Sequence, residues 1–188
     1  MSAPAPEGAV PARRARRFFV LPSGVVLAIA IFLPLVKVCG TVEYPIAWPI
    51  FWGPYLLGAV AIGMALCGSQ RAMRNLVVTA QVIVAAQCGG LGVVTISSGY
   101  GVLLIAAAVG FVLLTRRGDP ERRATHALIA GGVMSLAWFA PFIGDPEGLW
   151  GAYVSTGAAF ALMMSGLEWR RELGKLRVER MPMARARG

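Results

Sequence analysis

Six apolar blocks of roughly 20 residues, separated by short polar segments, dominate this sequence of 188 residues. A helix of that length crosses a bilayer core about 30 Å thick, whereas soluble domains carry shorter or amphipathic apolar runs. The composition agrees, since 57% of the residues are hydrophobic and 14% are charged. The sequence therefore predicts an all-α membrane protein, a six-transmembrane-helix bundle. Its spans are expected at about residues 18–36, 50–68, 76–96, 98–115, 124–143 and 149–167.

Polar and basic segments lie before and after these spans. Residues 1–17 hold three prolines and end in an arginine cluster, which predicts a disordered basic arm. Residues 168–188 form a basic tail in which Trp169, Leu173 and Leu176 recur at helical spacing. This pattern favours either a short helix on the membrane surface or an extension of the sixth span, with Pro182 expected to end it.

The distribution of Lys and Arg predicts the orientation of the spans. Basic residues resist translocation, so short loops that contain them stay in the cytoplasm. With the amino terminus inside, seventeen of the eighteen basic residues fall on the cytoplasmic side and only Lys37 falls outside. One missed or extra span would invert every later loop and destroy this separation. We therefore predict an inner-membrane protein with both termini in the cytoplasm.

The formal net charge of +9 is assigned to contacts with the bilayer, because the basic residues lie beside the predicted membrane ends. Anionic lipid headgroups are thus the expected partner, and nucleic acid is not. The arginines predicted to contact these headgroups are Arg16, Arg17, Arg116, Arg117, Arg122, Arg123, Arg170 and Arg171.

Short connections join the spans into three predicted helical hairpins, and the first and third hairpins share two motifs. F-x-P followed by two apolar residues ends both the first span, at 32–36, and the fifth, at 139–143. W-G-x-Y opens both the second span, at Trp52, and the sixth, at Trp150. The echo favours a parallel repeat of helices 1–2 and 5–6, as in some transporters. Coincidence is the alternative, because Pro and aromatic residues are common at helix ends.

The polar residues within the spans limit the chemistry. No Asp, Glu, Lys, Arg or His lies in the middle of a span, which disfavours ion pumps, proton-coupled carriers and aspartyl intramembrane proteases. The third span is instead rich in neutral polar residues, of which Gln87 lies near mid-membrane, where an unpaired amide is costly. Two interpretations stay open, hydrogen bonds between helices and a path for a neutral solute. The candidate residues are Gln81, Gln87, Cys88 and Thr95.

Aromatic residues concentrate in the predicted outer half, which holds all four Tyr and four of the five Trp. An aromatic belt at headgroup depth explains most of this asymmetry. The alternative is an outer lid over a cavity, made by the segment 44–52 and stiffened by Pro45 and Pro49. The candidate lid residues are Tyr44, Trp48, Trp52 and Tyr55.

Small residues recur at four-residue spacing in several spans, for example Gly157 and Ala161. Such spacing lets helix backbones approach closely, either within one chain or between protomers. The three Cys and one His provide neither a disulfide framework nor a zinc site, so we expect no metal and no cofactor.

Three functional hypotheses follow from these patterns. The first is a non-enzymatic scaffold, subunit or binding partner, in a homo-oligomer or with a membrane partner protein. The second is a permease or channel for a small neutral or apolar solute. The third is a lipid-handling or envelope enzyme. It ranks last because no cluster of His, Asp or Ser has catalytic spacing.

Overall fold

The structure is a computed structural model that describes residues 16–95, 100–115 and 119–185. The described chain is mostly helical, which confirms the predicted helical class. A π-helical turn, Arg16–Val20, leads into the first α-helix. The α-helices are α1 Leu21–Ile29, α2 Trp52–Leu66, α3 Gln70–Val94, α4 Tyr100–Thr115, α5 Pro120–Phe139 and α6 Trp150–Arg185.

Three helical segments are long and apolar enough to cross a membrane, namely Pro49–Leu66, Gln70–Val93 and Pro120–Phe142. Two shorter apolar helices cover Phe18–Phe32 and Gly101–Phe111. These lengths support the assignment to a membrane. The number of six spans, their pairing as hairpins and their orientation stay predictions.

Two helices begin earlier than hydropathy predicts, because polar residues cap them. Ser69 Oγ accepts a hydrogen bond from the Ala72 N–H at 3.1 Å, so α3 begins at Gln70 instead of near 76. The Asp119 side chain accepts one from the Glu121 N–H at the start of α5. Hydropathy identifies the apolar stretch alone, whereas capping extends a helix into the polar segment before it.

The basic tail continues α6 as one helix to Arg185, past Pro182, where the sequence pattern predicted an end. Exposed ion pairs at i,i+3 spacing support its helical conformation. Arg171 pairs with Glu168 at 2.6 Å and Lys175 with Glu172 at 2.7 Å.

Five helices close a ring of contacts, and α2 also contacts α5 across it. Contacts link α1 to α2, α2 to α3, α3 to α5, α5 to α6 and α6 back to α1, whereas α4 packs mainly on α3. The largest fully buried side chains include Leu27, Leu57, Phe139, Leu162 and Trp169.

Glycines bring α1 and α2 together at one point of this ring. A Cβ built on Gly24 would lie 2.9 Å from the Gly58 carbonyl oxygen, and one on Gly58 would lie 2.8 Å from that of Gly24. No residue larger than glycine fits either position without separating the helices.

Two connecting segments, residues 33–51 and 143–149, cover one end of the helices, and we call them together the cap. The first of them contains a β-hairpin. Strands β1, Val36–Val38, and β2, Thr41–Glu43, pair antiparallel through a two-residue turn. Cys39 and Gly40 in the turn have φ of 50° and 86°. Positive φ at both positions matches the right-handed twist of the strands, as in type I′ turns. The predicted spans place Val36 in the first helix and leave residues 37–49 as a connection, whereas Val36 begins a strand.

Backbone hydrogen bonds join the hairpin to the second loop of the cap. The Lys37 N–H donates to the Glu147 carbonyl at 2.7 Å, and the Leu149 N–H donates to the Leu35 carbonyl at 3.0 Å. The Gly151 N–H donates to the Pro34 carbonyl at 3.1 Å. The end of α1 and the start of α6 therefore meet at the cap.

Candidate functional site

The cap borders an open cavity of about 360 Å³, which we call the outer pocket. Its surface is apolar, and Glu43 is the one charged residue among those that line it. Hairpin residues form one wall, and aromatic residues from the loop before α2 and from the end of α5 form much of the remainder. The lining includes Val36, Glu43, Tyr44, Trp48, Phe51 and Phe142.

The structure separates the four predicted lid residues. Tyr44 and Trp48 line the outer pocket, whereas Trp52 lies beside it and donates from Nε1 to the Ile46 carbonyl at 3.2 Å. Tyr55 is only 2% exposed and lies in the helix core, 3.2 Å from Ser155 through its hydroxyl. Two of the four residues therefore share a cavity, and the other two support the loop and the helix packing.

The predicted polar residues of α3 have three different environments. Gln81 is buried and its Oε1 accepts a hydrogen bond from Arg123 Nη2 of α5 at 2.9 Å. Cys88 lies with its Sγ against the Met134 sulfur of α5. Thr95 donates to the Leu91 carbonyl of its own helix at 2.7 Å. These three residues make contacts that the packing of a helical protein explains.

Gln87 differs from them. Its side chain is 3% exposed, and both amide atoms are buried without a hydrogen-bond partner in the described part of the chain. A Cβ built on Gly53 would lie 2.8 Å from Gln87 Cγ, so this side chain occupies the space that the glycine of α2 leaves. One helical turn further on, Gly90 adjoins the Trp138 ring, whose Nε1 is also buried and unpaired among residues 16–95, 100–115 and 119–185.

The predicted lipid-contacting arginines are only partly visible. Arg170 and Arg171 are exposed, Arg122 is half-buried, and Arg123 bonds to Gln81. The structure does not describe the side chains of Arg16 and Arg17. Arg116 and Arg117, most of the arm 1–17 and the predicted corner 97–99 also lie outside the described residues.

A second cavity, which we call the lateral groove, runs between the α1 segment and α6 and has a volume of about 630 Å³. Phe18, which is 67% exposed, contributes from the turn before α1. Gly157, Ala161 and Met164 contribute from α6, and Ser165 lies there within 3.3 Å of Ser23. The spacing of Gly157 and Ala161 is apparent in the sequence. The position of α1 beside them is not, because hydropathy does not specify which helices are neighbours.

Metal ligands are not assembled in the visible chain. Within residues 16–95, 100–115 and 119–185, no group of three or more His, Cys, Asp or Glu side chains could hold a metal ion. All three cysteines are free thiols.

Fold and sites together define a helical protein with three helices that can cross a membrane, an apolar lateral groove and a pocket under a β-hairpin cap. No protein-family model, curated protein or solved structure matches this chain.

Proposed function

We propose that this chain is a six-span inner-membrane protein with both termini in the cytoplasm, and that it acts as a non-enzymatic scaffold or subunit. Its lateral groove would receive a transmembrane helix of a partner protein. The observation that carries the proposal is the exposure of Gly157 and Ala161 in this groove.

The use of glycine elsewhere in the molecule supports this interpretation. Gly24, Gly58 and Gly132 each sit where a Cβ would meet a neighbouring helix at 2.9 Å or less. A Cβ at Gly157 would meet no atom of the described residues within 4 Å, although Ala161 follows it at the spacing that favours helix association. The chain thus carries a close-packing motif on α6 that its own helices leave uncovered.

The topology draws support from the cap. An even number of alternating spans places the end of the first span and the start of the last on the same side of the membrane. Pro34 and Gly151 come from these two ends and share a hydrogen bond of 3.1 Å. Lys37 is the only basic residue of the cap, in agreement with an outer location. Trp52 and Trp150 each begin an α-helix, which favours the parallel repeat.

Site-specific photocrosslinking tests the groove. A photoreactive phenylalanine analogue at position 157 should form an adduct with a transmembrane segment of another protein, identified by mass spectrometry of the crosslinked peptide. Position 89 on α3 is the matched control, because a Cβ there also meets no atom within 4 Å among the residues that the structure describes. A Gly157→Leu and Ala161→Leu double variant should fill the groove and abolish the complex, whereas Gly89→Leu should keep it.

The outcomes separate the occupants. An adduct with a second copy of this chain would show that the groove is occupied within a homo-oligomer and not by a different protein. Adducts with lipid only, or equal protein adducts at positions 157 and 89, would contradict the proposal.

A permease for a small neutral solute is the second candidate, favoured by the unpaired amide of Gln87. Proteoliposomes report on it through stopped-flow swelling with glycerol as the probe. A permease would raise glycerol permeability above that of empty vesicles, and Gln87→Leu would change that permeability. If the protein is a scaffold, vesicles that contain either the original chain or the Gln87→Leu variant should have the glycerol permeability of empty vesicles.

A further inference from the structure

We propose that the outer pocket binds an organic cation that carries a trimethylammonium group. The inference concerns the cap alone and is independent of what occupies the lateral groove. Its basis is a cavity lined by aromatic residues and by one acidic residue, Glu43, which has no basic partner among the described residues.

The size and lining of the pocket suit a small amphiphilic ligand. Its volume of about 360 Å³ falls in the range of small-molecule sites, which are mostly apolar with a few placed polar groups. Tyr44, Trp48, Phe51 and Phe142 all line it. Aromatic faces attract cations, and several aromatic residues around one cavity are the usual means of recognising quaternary ammonium groups.

The alternation of side chains along the hairpin strands determines which charged residue lies on the pocket side. Successive side chains of a strand point to opposite faces, and Val36 pairs directly with Glu43. Val36, Val38 and Glu43 line the pocket, whereas Lys37 pairs with Val42 and is exposed. The hairpin therefore places Glu43 on its pocket side and Lys37 on the opposite face.

Glu43 is held in place without being neutralised. Its Oε2 accepts a hydrogen bond from Trp48 Nε1 at 2.9 Å, which fixes the indole beside the carboxylate. Within the described residues, the ion pairs of the structure join tail residues of α6 and leave Glu43 without a basic partner. A cationic ligand would supply the missing charge.

The cap as a whole carries a net negative charge, the same sign as that of Glu43. Its charged residues are Glu43, Asp145, Glu147 and Lys37, three carboxylates against one ammonium group. Such an excess attracts cations and repels anions at the mouth of the pocket.

Choline and its uncharged carbon analogue, 3,3-dimethylbutan-1-ol, test the charge requirement directly. The full chain is placed in phosphatidylglycerol nanodiscs, and choline binding is measured by equilibrium dialysis with labelled ligand. We expect saturable binding of choline and no competition by the uncharged analogue. Equal competition by the analogue would overturn the proposal, because the pocket would then recognise shape and apolar surface alone.

Variants locate the binding in the outer pocket. Glu43→Gln should weaken choline binding at least about tenfold, although an amide oxygen still accepts the Trp48 hydrogen bond. Trp48→Leu should weaken it by about fivefold to thirtyfold. Glu147→Gln is the matched control in the same cap, since the Glu147 side chain does not line the pocket. The choline affinity of this variant should differ from that of the original chain by less than about twofold. Gel filtration and helical circular dichroism of each variant verify folding.

A lipid headgroup could supply the same chemical group as a free solute. Nanodiscs that mix phosphatidylglycerol with phosphatidylcholine separate these sources when the retained lipid is identified by native mass spectrometry. Retention of phosphatidylcholine that Glu43→Gln abolishes would identify a lipid ligand, whereas choline binding alone would identify a free solute. If neither ligand binds in a manner that depends on Glu43, the proposal is wrong.

Discussion

Arg123 of α5 donates a hydrogen bond from Nη2 to Oε1 of Gln81 on α3 over 2.9 Å. The sequence suggested separate roles for the two residues, a lipid contact for the arginine and an interior polar contact for the glutamine. Their hydrogen bond joins neighbouring helices near the start of α5. A hydrogen bond to a charged group is stronger than one between neutral groups, and its loss leaves a partly buried guanidinium with fewer partners.

Gln81→Leu should therefore destabilise the protein by about 1 to 2 kcal/mol. The measurement is unfolding in a titration of dodecyl maltoside micelles with sodium dodecyl sulfate, followed by circular dichroism. Gln70→Leu is the control, since Gln70 is exposed at the first position of the same helix. Equal loss in both variants would show that the hydrogen bond does not contribute to stability.

The close approach of Gly24 and Gly58 gives a second prediction. Gly58→Ala should lower the free energy of unfolding by about 1 to 3 kcal/mol, because its methyl group would lie 2.8 Å from a backbone carbonyl that cannot move alone. The same detergent titration measures it. Gly110→Ala on α4 is the control, because a Cβ there meets no atom within 4 Å in the described part of the chain. Alanine has the higher helix propensity, so the control should be neutral or stabilising.

Hydropathy predicted the helical class and the presence of helices apolar enough to cross a membrane, because these depend on local composition. The start of α3 depends instead on a single hydrogen bond to Ser69, which hydropathy does not contain. The Gln81 and Arg123 pair depends on which helices are neighbours, and periodicity gives only the face of one helix.

The cap was missed for a different reason. Its strands are three residues long and lack a clear apolar alternation, and the turn has Cys39 where Asn or Asp would be the usual signal. Its attachment to Glu147 joins loops far apart in sequence. The aromatic residues around the outer pocket were noticed as a group, but only the structure distinguishes the pocket residue Trp48 from the core residue Tyr55.

The hydroxyl contact of Tyr55 with Ser155, at 3.2 Å, joins α2 to α6 in the core and gives a third prediction. Tyr55→Phe should destabilise the protein by about 0.5 to 1.5 kcal/mol, because the ring keeps its packing on Phe139 while the hydrogen bond is lost. A double-mutant cycle with Ser155→Ala isolates the pair. A coupling energy of zero in unfolding titrations would mean that the two hydroxyl groups do not interact.

The three free cysteines give the last prediction, which concerns orientation. Cys39 is exposed in the hairpin turn, Cys67 is half-buried after α2, and Cys88 is buried in α3. If the cap lies outside the cytoplasm, a membrane-impermeant maleimide added to intact spheroplasts should label Cys39 and neither of the others. Cys39→Ala should abolish the labelling. Labelling that requires lysis of the spheroplasts would place the cap in the cytoplasm and reverse the proposed topology, with the basic tail of α6 outside.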